Sequence, residues 1–206
     1  LKEKQRVYPF SNITSHVVGY TDTEGIRLSG IERGLNGDLS KGKDVYLSID
    51  VRLQSAFREE LINTINKFSA NAGLVIVYDI SAGEIISLNS FPDFNPNNKK
   101  TFTEKNIFNR AIQGNYEMGS TFKPITVAMG IDSNFIDSNT KIDVSKPINK
   151  GKRTIHDFHP YNGSLNIKDI VVKSSNIGAA KIASLIGKQN QINFFKKIGF
   201  YEKINL

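Results

Sequence analysis

A serine and a lysine three positions apart, Ser120 and Lys123, are the residues of this sequence best placed for nucleophilic chemistry. Serine is a weak nucleophile that needs a neighbouring base and a site that stabilises the oxyanion. Residues three apart on a helix lie on nearly the same face, so the two side chains can meet. A lysine accepts a proton only when it is neutral, and desolvation lowers its pKa toward that state. The pair therefore predicts an activated serine.

The Ser-x-x-Lys spacing alone does not identify the nucleophile, because it recurs at Ser40 in a glycine-rich turn and at Ser138 in a polar loop. Pro124 distinguishes the third pair. Proline is tolerated only in the first turn of a helix, so a helix must begin within a few residues before Pro124. This places Ser120 at or beside the start of a helix that runs to about Asp132. Free N–H groups and the positive end of the helix dipole there favour developing negative charge.

A second candidate element is Ser174-x-Asn176, in which a hydroxyl can relay a proton and an amide can bind a peptide group. The same spacing occurs at Ser69, Ser87 and Ser164, so the pattern is common by chance. The position of Ser174 distinguishes it. It lies downstream of Ser120, where residues 174–176 interrupt two predicted helical segments, one over 167–173 and a longer one that continues to about Leu185. Gly187 is the predicted stop, and a last helix is predicted near 189–198.

The first part of the sequence predicts short elements followed by a strand and a helix. Residues 1–44 are rich in glycine and contain β-type runs around His16, which predicts an irregular, short-stranded segment. Residues 44–49 predict a strand, and Asp50 is well placed to cap the following helix. That helix carries an apolar stripe that we expect to be buried: Leu53, Phe57, Leu61, Ile65 and Phe68.

A β-hairpin is predicted next, with arms at 74–79 and 84–90 and a turn at 81–83. The first arm is apolar at most positions, so we expect both of its faces to be covered. A long polar connection follows over 91–109, which is typical of functional loops. Together with the later helices, these elements indicate a mixed α and β fold.

Composition limits the classes of function. The chain has 206 residues, a net charge of +7 and no cysteine, which excludes disulfides and thiolate metal sites. Its lysines are scattered rather than grouped in a basic stripe, so we expect no nucleic-acid partner. His156 and His159 lack a third ligand at a convincing spacing, so no metal is expected. The longest apolar run, 74–78, is too short to span a bilayer.

The sequence resembles the class B penicillin-binding proteins, and among them the division-specific type, penicillin-binding protein 3. The resemblance rests on stretches that occur in family order along nearly the whole chain: Arg6-Val7-Tyr8-Pro9, His16-Val17-Val18-Gly19-Tyr20-Thr21, Leu28-Ser29-Gly30-Ile31-Glu32, Leu47-Ser48-Ile49-Asp50, Pro92-Asp93-Phe94-Asn95-Pro96, Phe108-Asn109-Arg110-Ala111, Tyr116–Pro124 and Lys173–Gly178. It implies an α+β fold of the penicillin-binding transpeptidase, β-lactamase-like type, in which helices pack on an antiparallel sheet. Residues 1–44 would belong to a small β-rich, non-catalytic pedestal and linker, and residues 45–206 to the N-terminal portion of the transpeptidase domain.

The resemblance also implies roles for four residues. Ser120 attacks the D-alanyl-D-alanine carbonyl of a stem peptide and Lys123 activates it, although the identity of the acylation base is disputed in related serine enzymes. Ser174 assists proton transfer to or from the leaving group, and Asn176 positions the substrate. An amine of a neighbouring stem then resolves the acyl-enzyme, whereas β-lactams mimic the donor and stay attached to the serine. No cofactor is implied.

The implied setting is the periplasmic face of the bacterial inner membrane, where the parent protein would be held by a single-pass anchor outside this chain. The implied partners are peptidoglycan stem peptides, β-lactam antibiotics and membrane proteins of the division machinery. The implied process is septal cell-wall synthesis.

One family motif, Lys-Thr-Gly or a close variant on a strand of the central sheet, does not occur in the sequence. In the family it supplies substrate contacts and part of the oxyanion hole. We therefore expect the fold to be incomplete in this chain and the chain alone not to be a competent transpeptidase, because losing an oxyanion donor costs orders of magnitude in rate.

Two alternatives stay open at the level of sequence. One is another acyl-serine protein, such as a penicillin-sensing receptor or a β-lactamase, against which the pedestal-like residues 1–44 argue. The other is a non-catalytic interaction module that binds division or elongation partners through the same residues.

Overall fold

A computed structural model describes residues 6–202, and the chain divides into two units of packing between Asn115 and Tyr116. We call these the first unit and the second unit. The predicted domain boundary between residues 44 and 45 is not tested by this division and stays a prediction. Within residues 6–202, no helix is both long enough and apolar enough to cross a bilayer.

The first unit contains a long helix packed on a two-stranded hairpin. Its elements are α1 (Ser15–Val18), α2 (Gly30–Gly34), α3 (Asn36–Leu39), α4 (Val51–Lys67), β1 (Gly73–Asp79), β2 (Glu84–Phe91), α5 (Glu104–Ile107) and α6 (Arg110–Gln113). Strands β1 and β2 form the predicted antiparallel hairpin, and α4 packs on it. The Asp50 side chain accepts hydrogen bonds from the N–H groups of Arg52 and Leu53, which confirms the predicted cap of α4.

The expectation of a short-stranded, β-rich segment over residues 1–44 is wrong for the described part of that range. This part forms three short α-helices, one 3-10 turn and one isolated bridge, between Thr21 and Arg27. Tertiary packing overrides the β propensity of the run around His16. The His16 side chain is buried, and its ring meets that of Phe94 edge-on with centroids 5.3 Å apart.

Residues 44–49 do not form the predicted strand. A strand requires a ladder of backbone hydrogen bonds to a neighbour. Here the chain makes isolated contacts with β2: the Ser48 hydroxyl donates to the Ile85 carbonyl at 2.7 Å, and the Asp50 N–H donates to the Ile86 carbonyl at 3.0 Å. The Tyr46 side chain between the predicted ends is 92% exposed.

The predicted apolar stripe of α4 is buried only in part. Ile65 is buried, but Leu53 and Phe68 are 38% and 71% exposed. The most buried side chain of the helix is polar: the Gln54 amide donates to the Leu88 carbonyl at 2.7 Å and accepts from the Leu88 N–H at 2.9 Å. The prediction considered only apolar residues and therefore missed Gln54, the side chain that links α4 to β2.

Strand β1 is not covered on both faces, contrary to the expectation from its apolar run. Ile76 and Tyr78 are 44% and 54% exposed in the described structure. Helices α4 and α6 pack against β1 but leave these two side chains exposed.

The second unit begins with a 3-10 turn at Gly119–Phe122 and continues with α7 (Lys123–Asp132), β3 (Lys141–Asp143), β4 (Ile148–Lys150), β5 (Arg153–Ile155), β6 (Ser164–Asn166), α8 (Ile167–Val172) and α9 (Asn176–Lys197). Strand β3 pairs with β6 and β4 pairs with β5, both antiparallel. Helix α7 ends where predicted, and α9 is broken at Gly187, with φ 74° and ψ 164°, as the sequence predicted.

Buried isoleucines form the core of the second unit, and they hold α8 against α9. Ile170 and Ile182 are 0% exposed and Ile186 is 1% exposed. Gly178 allows the two helices to approach closely, because a Cβ at this position would lie 2.8 Å from Ile170 Cγ1. This close approach sets the position of the first turn of α9 relative to α8.

We expect Gly178→Ala to lower the stability of the second unit by about 1–3 kcal/mol, because overpacking a filled core forces side chains or backbone to shift. The matched control is Gly34→Ala, since nothing lies within 4 Å of a Cβ built at this helical glycine. The midpoints of urea unfolding measure both effects. A Gly178→Ala variant as stable as the control would show that α8 and α9 are not constrained there.

Candidate active site

Ser120 lies in the 3-10 turn that leads directly into α7, and Lys123 is the first residue of that helix. Pro124 is the second helical residue, where its missing N–H has no intrahelical partner to lose, so the helix begins within the limits that proline predicted. The two side chains meet as their spacing predicted: Lys123 Nζ donates to Ser120 Oγ at 3.1 Å. Ser120 is exposed and Lys123 is half-buried.

Ser174 lies in the three-residue junction, 173–175, between α8 and α9. The Ser174 N–H donates to the Val171 carbonyl at 3.0 Å, and the Ser175 N–H donates to the Ile170 carbonyl at 2.9 Å. These two bonds form a Schellman motif, which closes a helix through a residue in the left-handed conformation. Glycine usually takes that position, but here it is Ser174, with φ 55°. The strained backbone therefore carries a hydroxyl where most helix ends carry none.

The Lys123 amine joins the two segments. Besides Ser120, Lys123 Nζ donates to the Ser174 carbonyl at 2.6 Å and to Ser174 Oγ at 2.8 Å. Ser174 Oγ in turn donates to Ser120 Oγ at 2.9 Å. The structure thus brings three of the four predicted residues into one closed hydrogen-bonded group, which we call the Ser-Lys-Ser group.

The Ser-x-x-Lys pair at Ser40 does not make such a contact. Ser40 Oγ donates to Asn36 Oδ1 at 3.0 Å, while Lys43 Nζ donates to Asp38 Oδ1 at 2.8 Å. Both residues thus bond to nearby side chains of α3 rather than to each other. The context of a helix start, rather than the spacing, is therefore what distinguishes Ser120.

Burial lowers the pKa of Lys123 from its usual value of 10.5, because the charged amine loses hydration, and the negative charge of Asp157 acts in the opposite direction. A lowered pKa increases the fraction of neutral amine at any given pH. The neutral form can accept the Ser120 proton, so the geometry and the charge state both favour an activated serine.

Asn176 is the first residue of α9 and is exposed. Its amide Nδ2 donates to the His156 carbonyl at 2.9 Å, so Asn176 is held by the loop after β5 rather than by the Ser-Lys-Ser group. His156 therefore contacts the site through its backbone. In the described part of the chain, no group of three His, Cys, Asp or Glu side chains is arranged to hold a metal ion.

Two residues of the site were not predicted from the sequence. Asp157 is buried, and its carboxylate accepts from Ser175 Oγ at 2.7 Å and from the Ile177 N–H at 2.9 Å. Ser175 is 0% exposed and its hydroxyl also accepts from the Gly178 N–H at 2.9 Å, which caps α9. Helix-cap chemistry could have indicated Ser175, but the contact with Asp157 depends on the fold.

Comparison with known proteins identifies the family. The family model described as the penicillin binding protein transpeptidase domain matches residues 73–206. The chain therefore belongs to the family of penicillin-binding transpeptidase domains, which confirms the resemblance found in the sequence.

Several curated proteins are similar to the chain. "Probable peptidoglycan D,D-transpeptidase FtsI" of Caulobacter vibrioides is 36% identical over 203 residues, which cover 96% of this chain and 34% of the relative. "Peptidoglycan D,D-transpeptidase FtsI" of Buchnera aphidicola subsp. Schizaphis graminum is 32% identical over 232 residues, covering 100% and 40%. "Probable peptidoglycan D,D-transpeptidase PenA" of Neisseria gonorrhoeae is 30% identical over 227 residues, covering 96% and 39%. The chain spans two fifths or less of the length of these relatives.

Solved structures share the fold. PBP2 of Pseudomonas aeruginosa, crystallised in complex with WCK 5153, matches with a TM-score of 0.79 at 23% identity over 96% of this chain and 51% of that one. A peptidoglycan glycosyltransferase from Burkholderia ambifaria matches with a TM-score of 0.64 at 30% identity over 75% and 45%. These likenesses confirm the expected α+β transpeptidase fold.

The strain at Ser174 can be tested with two variants that both remove its hydroxyl. We expect Ser174→Gly to be about 1 kcal/mol more stable than Ser174→Ala, because only glycine adopts the left-handed conformation without a steric cost. Urea unfolding of the two variants gives the difference directly. If the alanine variant were equally stable, the backbone at this junction would carry no strain.

Proposed function

We propose that this chain is part of a serine-acyl peptidoglycan D,D-transpeptidase, which cross-links stem peptides and is acylated by β-lactams. The observation that carries the proposal is the Ser-Lys-Ser group, in which a nucleophile, a half-buried amine and a second hydroxyl share hydrogen bonds of 2.8–3.1 Å. Membership of the penicillin-binding transpeptidase family supports the reaction class. The names of the curated relatives support the substrate.

Lys123 is the proton acceptor for acylation in this proposal. A neutral amine has two N–H donors and one lone pair. With the donors directed at the carbonyl and hydroxyl of Ser174, the lone pair faces the Ser120 hydroxyl at 3.1 Å. Ser120 Oγ attacks the carbonyl carbon of the penultimate D-alanine while its proton moves to Lys123 Nζ.

Ser174 completes the proton transfer. Its hydroxyl lies within hydrogen-bond distance of both Lys123 Nζ and Ser120 Oγ, so it can pass the proton from the lysine to the leaving amine as the C–N bond breaks. An amine of a second stem peptide then attacks the ester, and the Ser120 hydroxyl is restored with a proton from that amine. Asn176, oriented by the His156 carbonyl, offers its side-chain oxygen to a substrate N–H.

In the complete protein that contains this chain, a fluorescent penicillin should label one peptide, the one that carries Ser120. We expect Ser120→Ala to abolish labelling and Lys123→Ala to slow it by about 10²- to 10⁴-fold, the usual contribution of a positioned acid–base group. Ser40→Ala is the matched control, because it removes a serine with the same spacing and should label normally. Undiminished labelling of Ser120→Ala would contradict the proposal, and an unchanged rate for Lys123→Ala would contradict the role of the amine.

We further propose that the complete protein acts at the periplasmic face of the bacterial inner membrane, together with membrane proteins of the division machinery. The support is the substrate, since peptidoglycan lies outside this membrane, and the FtsI name of two relatives. Protease added outside intact spheroplasts should cleave the complete protein within residues 6–202. A fluorescent fusion of the complete protein should collect at division sites. Protection from protease would contradict the location, and an even distribution along the cell would contradict the division role.

A further inference from the structure

A buried carboxylate lies directly behind the junction that carries Ser174. Asp157 is 6% exposed, and its two oxygens accept one hydrogen bond from that junction and one from the first turn of α9. Oδ2 accepts from the Ser175 hydroxyl at 2.7 Å, and Oδ1 accepts from the Ile177 N–H at 2.9 Å. A buried ionised group is retained at a high cost in solvation, so a buried Asp with two short bonds requires a structural or functional reason.

The contacts of Asp157 converge on the connection between α8 and α9 and on the first turn of α9. Ser175 is at once the residue that closes the Schellman motif of α8 and the N-cap of α9. The orientation of Ser174, its immediate neighbour, therefore depends on how Ser175 is held. His156, the residue before Asp157, holds Asn176 through its backbone carbonyl. The dipeptide His156-Asp157 thus supports both Ser174 and Asn176.

We propose that Asp157 is a positioning residue for acyl transfer: its carboxylate fixes the Ser174–Ile177 segment so that the Ser174 hydroxyl and carbonyl meet the Lys123 amine. This inference rests on the proposed function. It adds a residue that touches neither the nucleophile nor the amine and acts through the Ser175 side chain and the Ile177 backbone.

An ionised carboxylate suits this position better than an amide. It only accepts hydrogen bonds, and both groups that face it are donors. In Asp157→Asn one of these donors would face an NH2 group or turn away. The charge of Asp157 also acts on Lys123 without a direct contact, and the Lys123 amine bonds to the Ser120 hydroxyl and to the hydroxyl and carbonyl of Ser174.

The test compares acylation of the complete protein and of its Asp157→Asn variant by a chromogenic cephalosporin. The dependence of the rate on cephalosporin concentration gives the acylation rate constant and the dissociation constant of the non-covalent complex. We expect the acylation rate constant of Asp157→Asn to fall by about 10- to 100-fold, the effect of misplacing a catalytic group by about 1 Å. The dissociation constant should change by less than about 3-fold, since Asp157 is not placed to contact the ligand.

The pH profile separates positioning from general destabilisation. Asp157 raises the pKa of Lys123, so its removal should lower that pKa. The acylation rate rises with pH as the Lys123 amine loses its proton. This rise should therefore occur at lower pH in Asp157→Asn. Ser175→Ala keeps the charge and removes the contact, so it should slow acylation without moving this rise. Because the two residues act through one hydrogen bond, their effects in the double variant should be less than multiplicative.

Asp169→Asn is the matched control, because it also removes one negative charge from the second unit. Asp169 is a half-buried residue of α8 whose carboxylate contacts Asn166 rather than the junction. It should acylate at the rate of the unaltered protein. If Asp157→Asn does not fold, Ser175→Ala still tests the proposal. An unchanged acylation rate in Ser175→Ala would overturn the positioning role of Asp157.

The outcomes distinguish the two proposals. An unaltered protein that is not acylated at Ser120 would contradict the proposed function and the role of Asp157 with it. An acylated protein in which Asp157→Asn and Ser175→Ala react at the normal rate, with the same pH profile, would contradict the role of Asp157 alone.

Discussion

The contact between the Lys123 amine and the Ser174 carbonyl is the interaction on which the geometry of the site depends. At 2.6 Å it joins the start of α7 to the junction between α8 and α9, which are 51 residues apart in the chain. Without it, Ser120 and Lys123 would be a local pair on one helix, of a kind that occurs elsewhere in the sequence. With it, the amine is partly desolvated and surrounded by three oxygens, which is what makes a lysine usable as a base.

The Lys123 amine bonds to both the carbonyl and the hydroxyl of Ser174, so these two groups must point in the same direction. They do so because the backbone of Ser174 adopts a strained conformation. Ser174 adopts a left-handed conformation that costs about 1–2 kcal/mol for a residue with a side chain. The surrounding structure offsets the strain through the bonds of the Schellman motif, the cap at Ser175 and the close packing of Gly178 on Ile170. Strain of this kind persists only where the surroundings determine the conformation.

The local features of the site could be predicted from the sequence, and the long-range ones could not. Pro124 located the start of α7 within a few residues because the constraint of proline is local and steric. Asp157 could not be recognised, because an aspartate in an exposed-looking loop becomes a support only when the fold buries it against Ser175. The errors in the first unit have the same origin, because the burial of His16 beside Phe94 and of Gln54 against β2 depends on residues far along the chain.

The break of α9 at Gly187 has a consequence for how the site comes into being. Beyond the break the chain returns toward α7, where the Phe122 ring lies 5.8 Å from that of Phe195 and 6.0 Å from that of Phe200. Phe122, the residue before Lys123, thus packs against aromatic side chains near the end of the described range. During synthesis from the N-terminus, Ser120 and Lys123 emerge first, Ser174 follows, and Phe195 and Phe200 emerge after them. A ribosome-bound chain that ends before Phe195 would carry Ser120, Lys123 and Ser174 without the aromatic contacts of Phe122.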